Sequence, residues 1–212
     1  MHMEPKEVGD KLREWLASER IEFKEQNDPR ADIHFLIKYP MGDNGHKFVI
    51  IVPKGRDLVA ISSMTRVDGG QQEEMKNLMV EDSEEWKNWL HECRMQLIAS
   101  GVDWGIHLGH QKTGRNGPLQ AFNVSEPIWF DALTKNEMMQ TIRRLWLSKL
   151  GLIHEIKFAY GKGTGKPGPV DDWANKKQGG QRIGKPNPPQ PKQVDIDDSM
   201  SFGEGFDPED WI

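Results

Sequence analysis

Residues 33–65 read IHFLIKYPMGDNGHKFVIIVPKGRDLVAISSMT, and this stretch decides the fold. Three runs rich in β-branched and aromatic residues, 33–39, 47–53 and 57–65, are separated by MGDNG at 41–45 and KGR at 54–56. Glycine and asparagine supply the positive-φ positions that tight turns need, so the runs read as consecutive antiparallel strands. A shorter strand over 21–24 precedes them, set off by Asn27, Asp28 and Pro29. The longest apolar run, 48–52, is strand-sized and far below the roughly 20 residues of a membrane span.

Working outward, residues 4–19 place Val8, Leu12, Trp15 and Leu16 on one stripe of a helix. A second helix is predicted over 84–100. Asp82 and Glu85 form its capping box, and Trp86, Trp89, Leu90, Cys93, Leu97 and Ile98 form its buried face. Gly101 ends it. Strands over 102–109 and 119–124 follow. In the first, Val102, Trp104, Ile106 and Leu108 alternate with Asp103, Gly105, His107 and Gly109, the period of a half-buried strand. A last helix starts after Thr134, capped with Glu137, and runs to about 158 with a weak point at Gly151. Met138, Ile142, Leu145, Lys149, Leu152 and Ile156 make one stripe, and Met139, Trp146, Leu150 and Ile153 a second. So wide an apolar arc exceeds what one sheet face covers and predicts a homodimer contact. The expected fold class is α+β, an antiparallel sheet packed against helices.

The chain's charge is segregated. Its net -5 over 212 residues divides into 21 basic against 24 acidic side chains in 1–160, 7 against 2 in 161–194, and none against 7 in 195–212. Thirteen of the 34 residues in 161–194 are glycine or proline, and that segment reads as a flexible basic linker between a folded domain over 1–160 and an acidic tail. The tail carries Ile196, Met200, Phe202, Phe206, Trp211 and Ile212 among its carboxylates, the pattern of a peptide that seats apolar side chains in a partner's pocket. One cysteine and a start, MHMEPKE, without signal-peptide features lead to the expectation of a cytoplasmic protein.

Catalytic signatures are sparse. GKGTGKPG at 161–168 has the composition of a phosphate loop, but Lys166 is followed by Pro167 rather than Ser or Thr. Cys93 sits on an apolar stripe and reads as core. His107 and His110 find no third ligand at metal-site spacing and read as solvent-facing. The sequence therefore favours a binder: no enzyme activity, no cofactor and no metal are expected.

Asp195, Asp197, Asp198, Phe206, Asp207, Pro208, Glu209, Asp210, Trp211 and Ile212, at the end of a Gly/Pro/Gln/Lys linker, resemble the tails of bacterial and phage single-stranded-DNA-binding proteins. The resemblance implies single-stranded DNA or RNA as ligand and recruitment of replication or repair proteins through Phe206, Asp207, Pro208, Glu209, Asp210, Trp211 and Ile212. The terminus departs from that family in ending Asp-Trp-Ile, and the folded part departs from its barrel. Some archaeal single-strand binders with an unrelated alpha/beta fold provide a looser resemblance. Aromatics that stack on bases and cations that meet phosphates would be Phe35, Lys38, Tyr39, Lys47, Arg56, Arg66, Trp104, Lys112, Arg115 and Phe122. The alternative is a dimeric protein-binding adaptor, because the order helix, meander, helix, two strands, helix resembles the small chaperones of secretion systems.

Overall fold

A computed structural model describes residues 3–42, 45–111 and 114–174. Its chain order is α1 (Pro5–Ser18), β1 (Phe23–Glu25), β2 (Ala31–Tyr39), β3 (His46–Pro53), β4 (Leu58–Arg66), α2 (Gly69–Glu81), α3 (Ser83–Ala99), β5 (Asp103–Leu108), β6 (Leu119–Trp129), α4 (Lys135–Tyr160) and α5 (Asp171–Ala174). The strands form one open antiparallel sheet in the order β1-β2-β3-β4-β6-β5. The fold is α+β, as the hairpin turns and alternating strands require.

Register decides which side chains enter the core. Phe35 opposes Ile50, Ile50 opposes Ile61, Ser63 opposes Val124, and Trp104 pairs with Val124 on the far side. That face meets the helices. Val8, Leu12 and Leu16 of α1 are buried, and Pro5 suits the first turn because its missing N–H has no partner to lose there. Thr134 accepts the Glu137 amide at 3.1 Å and Asp82 those of Glu84 and Glu85 at 3.1 and 2.9 Å, so both expected caps form.

The structure corrects several expectations. α2 was not visible in the pattern: its buried positions are Gln71, Gln72 and Met75, so no apolar stripe announces it. β6 runs on to Trp129 because all nine residues of β4 pair with it. Pro127 is tolerated because the β5 partner stops at Ser125, beyond which no amide need donate. α4 is continuous through Gly151, where a Cβ would lie 2.8 Å from Nε2 of Gln96, the movable end of an α3 side chain. Ile98 is exposed rather than core. The second stripe of α4 is partly consumed within the chain, since Met139, Trp146 and Ile153 pack against the core.

The segment 161–174, assigned by composition to the linker, lies against the domain. Asp68 is its anchor. The carboxylate accepts the amides of Gly70 (2.7 Å), Thr164 (2.8 Å) and Lys166 (2.8 Å), so the glycine-rich loop cradles an internal anion. Gly163 has φ 73, and a Cβ there would fall 2.4 Å from Asp68 Cγ. Beyond it Gln72 and Arg66 donate to the carbonyls of Pro169 and Gly168, and Asp171 donates its amide to Gln120. The strap thus passes round the end of β4 to the sheet's second face, where Val170 packs with Met64 and Ala121 and Trp173 closes over them.

Burial works to raise the Asp68 carboxyl, but the amides of Thr164, Gly70 and Lys166 outweigh it and hold it below the ordinary range. Its contribution is therefore complete above the unfolded carboxylate value of about 3.9 and is lost as pH falls through the lower folded value. Asp68→Ala removes a helix cap and strands two strap amides. The expected cost is about 1–3 kcal/mol, with faster limited proteolysis between 161 and 170. Unchanged cleavage and stability would contradict the anchoring role.

Candidate basic cleft

At the end of the sheet where β2 joins β3 and β4 leads into α2, the strands, α4 and the strap enclose a cavity of about 360 Å³. Six basic residues contribute to its lining: Lys38, Lys47 and Arg66 from the strands, Lys149 and Lys157 from α4, and Lys162 from the strap; the Arg66 guanidinium itself donates to the Gly168 carbonyl at 2.8 Å and lies 5.8 Å from the centre of the Trp173 ring. Asp68 is the one carboxylate in the lining among the described residues, and it is held by the strap amides. A second cavity of about 410 Å³ between α1 and β2 has balanced charge, Glu4 and Asp32 against Lys6 and Arg13.

Lys149 sets the chemistry. It occupies a core position of α4 with 5% of its surface exposed. Its Nζ donates to Ser63 Oγ at 2.8 Å and to the Met64 carbonyl at 3.4 Å, and lies 5.7 Å from the centre of the Phe48 ring. Burial pushes its pKa down to about 7, so an anion nearby would favour the charged form. His46 is pushed down to about 4 by burial, then by Lys149 and Lys157, and is neutral at physiological pH. Buried Nδ1 of His46 and Oγ1 of Thr65, both residues of the lining, have no hydrogen-bond partner among the described residues.

The site brings together three of the contacts expected from sequence, Lys38, Lys47 and Arg66. The others fall elsewhere. Phe35 (1% exposed) and Phe122 (0%) are core residues and cannot stack on a base, which corrects that expectation; alternation turns both toward the helices. Tyr39 and Trp104 are partly buried against the same core, Tyr39 edge-on to Trp146 at 6.0 Å. Arg56 sits in the β3–β4 turn, at the opposite end of β4 from Arg66. Arg115 pairs with Asp172 at 3.1 Å, beside the strap's end. Lys112 and the tail residues 206–212 lie outside the described residues.

His107 and His110 also meet Asp172, at 3.3 and 2.7 Å. Their partner is the strap carboxylate. Cys93 is buried, and burial, then Glu155 and Glu92, push its thiol up to about 12, far from thiolate chemistry at neutral pH. No helix among the described residues is long and apolar enough to cross a membrane.

The sequence over residues 8–156 matches the family described as an uncharacterized conserved protein, DUF2299. The chain belongs to that family. The DUF2299 match spans the whole sheet and most of α4, and takes in Lys38, Lys47, Arg66 and Lys149 but neither Lys157 nor the strap. A crystal structure of an uncharacterized protein from Methanothermobacter thermautotrophicus is 26% identical, with a TM-score of 0.62 over 74% of this chain and 100% of that one. YbjN of E. coli, described as a candidate transcription regulator, is 13% identical with a TM-score of 0.35 over 84% of this chain and 95% of that one, too low a likeness to carry an argument. Among curated proteins no match is found.

Proposed function

We propose that this DUF2299 protein is a non-enzymatic binding protein whose basic cleft takes the phosphates of a single-stranded nucleic acid, with the acidic 195–212 segment contacting partner proteins. A cavity lined by six basic residues and one carboxylate, in a chain whose net charge is -5, carries the reading. A local positive site on an acidic protein needs a specific arrangement, and the sheet end, α4 and the strap supply it.

A labelled single strand is expected to raise anisotropy at low salt. The logarithm of affinity should fall with the logarithm of salt with a slope of about -2 to -4, as three to six neutralised phosphates imply. Absence of binding at micromolar protein would contradict the proposal.

A second reading, a protein-binding adaptor, is favoured by one surface. On the face away from the helices Leu36, Ile51, Ala60 and Pro127 are only partly covered and Trp129 is 56% exposed.

A further inference from the structure

We infer that the deep end of the basic cleft is a seat for a phosphate monoester, the terminal phosphate of a nucleic-acid strand. The inference rests on the reading that this cleft takes phosphates, and it assigns which phosphate.

The cleft is graded. Lys38, Lys157 and Lys162 are exposed, whereas Lys149, Gln71, Val67 and Ile156 in the same lining are buried. A volume of about 360 Å³ is that of a small-ligand pocket, which usually runs from about 300 to 1,000 Å³.

Stacking does not supply the affinity. Apart from the His46 imidazole, no aromatic ring lines the cleft among the described residues, and Phe35 and Phe122 are in the core. A site that holds nucleic acid without a stacking platform must draw its selectivity from the phosphate itself.

Charge then separates the two kinds of phosphate. An internal diester carries one negative charge and two unsubstituted oxygens. A monoester carries between about one and a half and two charges near neutral pH and offers three acceptor oxygens. The deep end offers a buried ammonium, held by a hydroxyl and a carbonyl, and beside it the Thr65 hydroxyl and the His46 ring. Thr65 Oγ1 has no partner among the described residues, and a phosphate oxygen would give its proton one. Desolvating Lys149 as a cation is costly, and a dianion offsets that cost better than a monoanion.

The test uses the full chain and single strands of about 12 nucleotides, within the usual span of such sites. One strand carries a 5′-phosphate, one a 3′-phosphate and one hydroxyls at both ends; adenosine monophosphate serves as competitor. At constant ionic strength at least one phosphorylated strand is expected to bind about tenfold or more tightly than the hydroxyl strand. Thr65→Val, which keeps the shape and removes the hydroxyl, should shrink that difference. Lys149→Met should abolish the difference. Equal affinity for all three strands, with salt-sensitive binding retained, would overturn the monoester seat and leave the proposed function standing. Binding of none would overturn both. Competition by the mononucleotide at the same affinity as the phosphorylated strand would overturn the assignment to a strand end, and would place a free nucleotide in the seat.

Discussion

Lys149→Met should make the protein more stable and weaken the hold of its cleft on a phosphorylated strand. An ordinary lysine keeps its proton to about 10.4, and the unfolded chain does the same. In the fold, burial pushes Lys149 down to about 7. Between those values the unfolded chain binds more protons than the folded one, so stability rises with pH across the window; below about 7 the full cost of the buried charge is present.

Methionine removes that cost at nearly constant volume. Ser63 Oγ keeps its 2.6 Å hydrogen bond to the Lys47 carbonyl. At pH 7 the expected gain is on the order of 2–4 kcal/mol, taking about 1.4 kcal/mol per pKa unit and discounting the lost ammonium hydrogen bonds. Urea unfolding at pH 7 and pH 10 measures it. The wild type should gain stability between the two pH values, and the variant should lack that gain. Oligonucleotide affinity should fall at least about tenfold. A variant that is less stable yet binds normally would show that Lys149 is a structural cation and not a ligand group.

Phe122→Ala should act only on the fold. Phe122 is fully buried in β6, opposite Thr65 on β4 and Ile106 on β5. Truncating a buried phenylalanine costs about 3–5 kcal/mol, and at about 2–4 °C per kcal/mol for a chain of this size the melting temperature should drop by about 10 °C. The milder Phe122→Leu keeps most of the volume and should leave oligonucleotide affinity unchanged. Lost affinity in the leucine variant at unchanged stability would return Phe122 to the list of stacking residues and contradict the burial of that face.

How much of this was legible in the sequence depended on which residues carried the signal. Strands 33–65 were readable because β-branched residues alternate between turns whose glycines permit one chain path. The α3 and α4 caps were readable because Asp82 and Thr134 act on amides two or three residues away. α2 was hidden because its support is tertiary: Gln71 and Gln72 donate to carbonyls of the strap and of Val67, and composition alone made the strap look unstructured. Val170 and Trp173 within that glycine-rich run were the available sign that it returns to the core.

The cleft was half legible. Lys38, Lys47 and Arg66 were named as cations near strand aromatics, but nothing local joined them, since the site exists only where the β2–β3 hairpin, the end of β4 and α4 meet. Lys149 carried a signal that went unused. It stands on a stripe otherwise made of Met138, Ile142, Leu145, Leu152 and Ile156, and a lysine on an apolar stripe is rarely fully buried without a reason. Phe35 and Phe122 misled because an aromatic on a strand looks alike whether its face is open or covered.

The central claim is that phosphate binds at the sheet end between β4, α4 and the strap. Amide chemical-shift mapping by NMR, with a 5′-phosphorylated single strand titrated into isotope-labelled full-length protein, tests it most directly. The predicted result is a set of shifts centred on Lys38, Lys47, Thr65, Arg66, Lys149 and Lys162 that reverses on adding salt. Shifts centred instead on Leu36, Ile51, Ala60 and Trp129, or none at saturating strand, would contradict it.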